Sequence, residues 1–150
     1  MYTAEEQAKH RKQWVDALRS GQYTQNKHKL RTNDAYCCLG VACEISQLGI
    51  WTISTDTNYK SADKHFTYNT KNDELASVLP VEVMNWLGVR DSTVTLKTKL
   101  NLRETGLYGK GFYSEQWAAT LITLNDCGVH FDSISDIIES DAIILANNNT

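Results

Sequence analysis

Glycine closes the apolar blocks of this chain at short intervals, and that spacing limits the fold to short elements. Four helix-like patterns run into Gly21, Gly49, Gly88 and Gly128. A glycine just past a periodic run acts as a stop, because it readily takes the left-handed conformation that ends helices. Runs with strand-like content lie between these blocks. The mixture predicts an α+β fold, a small antiparallel sheet packed against several helices. The chain has 150 residues, which suits one domain (1–150) that buries about two thirds of its unfolded surface without staples. No internal repeat or linker divides it.

The first helix is expected over "TAEEQAKHRKQWVDALRSG", with Thr3 and Glu6 at capping-box spacing. Val15 and Leu18 form its apolar stripe, and Trp14 beside them has ring area to bury. Asn33-Asp34 is a turn signal, so a hairpin is expected between "KLRT" and "AYCCL". Gly40 then reads as a hinge from strand into a helix over "VACEISQLG". "IWTIS" and "HFTY" read as strands, the latter inside a long polar loop over 55–74. "LPVEVMNWLGV" is a helix with Pro80 in its first turn and Val83, Met84 and Leu87 inward. "STVTLKTKLNL" reads as a strand and "RETGLYGKGFY" as a loop. "SEQWAATLITLNDCG" reads as the strongest helix, capped by Ser114, and "DSISDIIESDAIILA" as the last, with Ile134, Ile137 and Ile138 inward.

The amino-terminal stretch is polar and no run approaches the roughly 18 apolar residues of a membrane span. The expectation is a cytoplasmic protein without membrane contact, whose thiols stay reduced. Three of the four cysteines crowd into "YCCLGVAC". Cys37, Cys38 and Cys43 with Cys127 and His130 could supply zinc ligands, but adjacent thiols match the usual knuckle spacing poorly. Buried free cysteine behaves as a small hydrophobe, so the expected role is core packing and no metal. Cys38 near a helix start could be a nucleophile, yet no histidine is near in sequence. "TGLYGKGF" misses the P-loop and Rossmann spacings, and no cofactor is expected.

Net charge is −3, which disfavours extended nucleic-acid binding. It leaves room for local basic pockets. Lys27, His28, Lys29 and Arg31 gather ahead of the cysteine run. Lys97, Lys99, Arg103 and Lys110 gather around the glycine-rich loop. Tyr36, Tyr108, Phe112 and Tyr113 supply rings nearby, Tyr36 with its hydroxyl toward solvent. Basic and aromatic groups together suit a small anionic, nucleotide-like ligand. Arg31 and Arg103 are the expected phosphate contacts, since the arginine fork makes two bonds. Asn125 and Asp126 stand in a last helical turn, where such residues either cap the backbone locally or hold a ligand hydroxyl. The candidate binding residues are thus Lys29, Arg31, Tyr36, Arg103, Tyr108, Lys110, Asn125 and Asp126.

Four segments carry a resemblance. They are Trp14 to Gly21 followed by Tyr23 and Gln25; "YCCLGV" at 36–41 with Cys43; Leu79-Pro80; and "LND" at 124–126 with Gly128, Phe131, Ile134 and 137–139. Together they resemble a set of small proteins common in tailed-phage genomes, over the first 50 residues and 79–140. That resemblance implies a phage or prophage accessory protein acting in the bacterial cytoplasm, by analogy against host defence, by sequestering a nucleotide-derived signal without chemistry. Two alternatives stay open: an enzyme that cleaves such a signal, and a module that binds a host protein or the virion. Self-association stays open as well.

Overall fold

Thr3 starts the first helix with the capping box its spacing predicts. Its side chain accepts the Glu6 amide at 3.0 Å and the Glu6 carboxylate accepts the Thr3 amide at 3.1 Å. This α1 (Ala4–Arg19) ends at Ser20, with Gly21 beyond it at φ +77°. It packs on three other helices, and its Trp14, wholly buried, donates its indole N–H to the Cys38 carbonyl at 2.9 Å. The computed structural model describes residues 1–54, 62–107 and 117–146. Within them six helices and three small sheets make one α+β domain.

The first sheet holds β1 (Thr24–Gln25), β2 (Arg31–Thr32) and β3 (Ala35–Tyr36) in the order β1-β3-β2. β2 and β3 form the expected hairpin around Asn33-Asp34, with Asn33 at φ +52°. β1 joins β3 in parallel. The cysteine segment corrects one expectation. The helix does not wait for Gly40: α2 (Cys38–Ser46) begins at Cys38, and the Cys37 thiol caps it by accepting the Gly40 amide at 3.4 Å. Gly40 lies inside the first turn for a steric reason. A Cβ there would stand 1.9 Å from the Leu30 carbonyl oxygen. At the far end Gln47, at φ +56°, stops the helix two residues before Gly49.

The second sheet orders β4 (Ile50–Ile53), β5 (Phe66–Asn69) and β6 (Glu74–Leu75), all antiparallel. Two strands in it were expected and β6 was not. α3 (Val81–Leu87) follows, with Pro80 as its N-cap and Gly88 at φ +73° as its stop. Val83, Trp86 and Leu87 are buried, whereas Met84 is only half-buried.

The third sheet holds the larger corrections. β7 (Thr95–Asn101) was expected, but its partner β8 (Trp117–Thr120) falls within the segment read as the strongest helix. Helix preference among Ala, Leu and Thr amounts to tenths of a kcal/mol per residue, too little to oppose a strand ladder and the burial of Ala118. Among the described residues of that segment only α5 (Leu121–Asp126) is helical, capped by Thr120, whose hydroxyl accepts the Thr123 amide at 3.1 Å. Trp117 is 52% exposed. The expected cap Ser114 lies outside the described residues. One turn of helix, α4 (Leu102–Thr105), replaces the start of the expected loop. α6 (Phe131–Glu139) is also shorter than expected. Asp141 turns at φ +63°, and the rest of "AIILA" runs extended, with Ile143 bridged to Leu96 and Leu145 to Val89. Extended, these residues bury Ile143 against β7.

Candidate functional site

The hairpin carries Arg31 to the second sheet. Thr32 bridges to His65, the Asn33 amide donates to the Lys64 carbonyl at 2.8 Å, and the Asn33 side chain accepts the Lys64 amide at 2.9 Å. This seating places the Arg31 guanidinium 4.1 Å from the Phe66 ring centroid, 5.4 Å from Tyr36 and 5.7 Å from Trp51. Register explains the grouping. Arg31 pairs directly with Tyr36, Trp51 with Tyr68, and Ile53 with Phe66. Because strand side chains alternate, Trp51, Ile53, Phe66 and Tyr68 share one face of the second sheet.

The rings continue as a chain. Tyr23 meets Tyr36 edge-on at 5.4 Å, Tyr36 meets Trp51 at 5.9 Å, and Trp51 meets Tyr68 at 4.7 Å. Tyr68 is the buried end. Its hydroxyl accepts the Gly49 amide at 2.7 Å. Glu44, from α2, accepts the Trp51 indole N–H at 2.6 Å. Burial first, and the Glu44 charge second, raise the pKa of both Tyr23 and Tyr36 above the usual phenol value. Arg31 retains 20% of its side-chain exposure. Its Nε donates to the Asn33 carbonyl at 2.8 Å and one terminal nitrogen lies 3.5 Å from Asp34. Cations over ring faces are worth about 0.5–2 kcal/mol each, so three rings help hold this guanidinium in place.

Asn125 and Asp126 serve a different arrangement. Asn125 is wholly buried. Its Oδ1 accepts from Gln25 Nε2 at 2.9 Å and from the Cys38 amide at 3.1 Å, and its Nδ2 donates to the Asn26 carbonyl at 2.8 Å. Gln25 also donates to the Val129 carbonyl and accepts the Phe131 amide. Asp126 accepts the His28 amide at 2.8 Å. The pair therefore caps backbone at a distance, tying 25–28 to the starts of α2 and α6. Lys29 is half-buried between β1 and β2. Arg103 is exposed on α4, where Asn101 accepts its amide at 3.0 Å, and α4 packs on β7. Of the expected residues, Arg31 and Tyr36 thus come together, while Arg103 lies on α4 against the third sheet. Tyr108 and Lys110, with Phe112 and Tyr113, lie outside the described residues. Sequence reasoning missed Tyr23, Glu44, Trp51 and Phe66 as site residues. The alternation of "IWTI" against "HFTY", paired as a hairpin, is the signal that could have found the last two.

The cysteines lie in the core. Burial pushes the Cys37 thiol up to about 12 and raises Cys38 and Cys43 well above the ordinary value. Thiolate, the nucleophilic form, is therefore scarce at all three near neutrality. Among the described residues no group of three His, Cys, Asp or Glu side chains is placed to hold a metal ion, and no helix is long and apolar enough to cross a membrane. A separate cavity of about 440 Å³ is lined by Met1, Tyr2, Gln7, Leu48, Glu82 and Asn85. Two of its polar side chains are engaged: Glu82 accepts from Thr70 and Asn72, and Gln7 donates to the Asn85 carbonyl.

Fold and site together define a small α+β domain with a guanidinium set among aromatic rings on one sheet face. The chain belongs to the family DUF8296, a domain of unknown function, whose model matches residues 6–142. No curated protein and no solved structure matches it.

Proposed function

We propose that the protein is a non-catalytic binding module for a small nucleotide-like anion, seated at Arg31 and its rings. The observation that carries this reading is the Arg31 guanidinium beside Phe66, Tyr36 and Trp51 at 4.1, 5.4 and 5.7 Å. Rings of this kind accept a base by stacking, and an arginine fork accepts a phosphate with charge-assisted bonds. Three buried thiols held protonated argue against cysteine chemistry. The resemblance to tailed-phage proteins supplies the setting: an accessory protein in the bacterial cytoplasm that sequesters a nucleotide-derived defence signal.

Thermal shift and calorimetry with mononucleotides, cyclic nucleotides and ADP-ribose test this, with chromatography of the ligand after incubation. The expected result is binding with the ligand recovered intact. Arg31→Glu should weaken it more than about tenfold, the value of one charge-assisted bond. Lys12→Glu, on the exposed face of α1, should leave it unchanged. Turnover would make the protein an enzyme, and no binding to any nucleotide would point to a protein partner. A specific observation favours that last alternative: Ile50 and Ile53 are 68% and 55% exposed on β4, an edge strand among the described residues.

A further inference from the structure

Glu44 is out of place beside a site for an anion. A carboxylate beside the site repels a phosphate-bearing ligand unless the ligand brings donors that offset it. It is also incompletely used. An ionised carboxylate offers about four lone-pair positions, and Glu44 commits one oxygen, to Trp51 Nε1 at 2.6 Å. Among the described residues its other oxygen has no hydrogen-bond donor. Trp51 links this carboxylate to Arg31, whose guanidinium lies 5.7 Å from the same ring. Acceptor, ring and cation thus follow one another across one indole.

We infer that the ligand's base is guanine or a guanine-like ring, read by Glu44 through two adjacent N–H donors. This rests on the nucleotide-binding reading above and names the base it selects. An ionised carboxylate only accepts, so it favours the ring edge that only donates. Guanine presents N1–H beside its 2-amino group. Hypoxanthine keeps N1–H and lacks the amine. Adenine turns a ring lone pair toward the carboxylate beside its amine, which sets one repulsion against one bond. Arg31 then takes the phosphate and is indifferent to the base.

Calorimetry with GMP, IMP and AMP on the full chain, on Glu44→Gln and on Arg31→Ala decides the matter. Glutamine keeps an oxygen acceptor for Trp51, and a melting curve on each variant confirms the fold. GMP should bind at least about tenfold more tightly than AMP, as one good bidentate base contact provides, with IMP between. Glu44→Gln should remove that preference, and Arg31→Ala should weaken all three alike. Equal affinities for the three nucleotides would overturn the guanine assignment and leave nucleotide binding standing. A GMP preference that survives Glu44→Gln would overturn Glu44 as its reader. Failure of all three to bind would overturn this inference together with the reading beneath it.

Discussion

Asn125→Ala should destabilise the fold by about 3 kcal/mol. The side chain is wholly buried and satisfies two backbone groups that have little access to water: the Cys38 amide at 3.1 Å and the Asn26 carbonyl at 2.8 Å. Gln25 Nε2 loses a bond too, but keeps the Val129 carbonyl at 2.8 Å. Leaving a buried polar group unpaired costs about 1–3 kcal/mol, and two such groups give the figure above. For a chain of this length each kcal/mol lowers the melting temperature by about 2–4 °C, so the expected drop is about 6–12 °C. Urea titration measures the free energy directly, and an unchanged slope would show that the variant unfolds from the same compact state. Asn125→Asp is the sharper companion. It keeps the volume but turns an acceptor toward the Asn26 carbonyl and toward Asp126 Oδ1, 3.4 Å from the present nitrogen. It should lose at least as much as alanine at neutral pH. A melting temperature for Asn125→Ala within about 2 °C of the parent would refute the reasoning, because it corresponds to less than one buried bond.

Three further outcomes are expected. Gly40→Ala should destabilise by about 3 kcal/mol or prevent folding, because its Cβ would meet backbone, the Leu30 carbonyl oxygen at 1.9 Å, and backbone cannot swing aside; denaturant unfolding of the variant reads this. Cys37, Cys38 and Cys43 should resist iodoacetamide at pH 8 in the native protein and react once it is unfolded, as peptide mass mapping would report, since burial raises all three thiol pKa values. Glu82 should make stability fall in acid: burial alone would raise its pKa, but bonds from Thr70, its own amide and Asn72 together hold it below 4.5. The unfolded chain therefore binds the proton more readily, so the contribution is present above about pH 4.5 and is lost as pH falls through the lower folded value. Glu82→Gln should flatten that part of the stability–pH curve.

What the sequence discloses is what local chemistry decides. The Thr3–Glu6 box, the Asn33-Asp34 turn and the Gly88 stop each act within a few residues, and each is found where its spacing predicts. β8 is decided elsewhere: Trp117–Thr120 become a strand because β7 offers a ladder, which no window around 114–128 contains. Gly40 was legible as special but for the wrong reason. Its backbone is ordinary helix, and the constraint comes from Leu30, ten positions earlier in the chain. The site divides the same way. Arg31 and Tyr36 are neighbours across a hairpin turn and stand out by type. Phe66 and Trp51 reach them only through pairing of β4 with β5 and the bridge from Thr32 to His65. Glu44 lies within the expected helix, and it enters the site only because Trp51, on β4, turns its indole N–H to it; its residue type carries no mark.

The buried Asn125 arrangement and the Arg31 cluster are joined in series, and the link is testable. Asn125 holds Gln25 by its side chain and Asn26 by its carbonyl. Gln25 is the β1 partner of Tyr36, and Tyr36 is the β3 partner of Arg31. β1 and β2 are two residues each, too short to be stable without support from outside the sheet. Removing the Asn125 amide should therefore open residues 24–36 locally before the domain unfolds, because the α1–α6 packing does not pass through it. Native-state hydrogen exchange on Asn125→Ala should show faster exchange at the ladder amides of β1, β2 and β3, with the central amides of α6 limited by global stability. Binding should weaken in the variant by the fraction of molecules with the hairpin open, while base preference, set at Glu44, is retained. If instead the amides of α6 and of the hairpin accelerate by the same factor, Asn125 acts only through global stability and the hairpin's rigidity has another source.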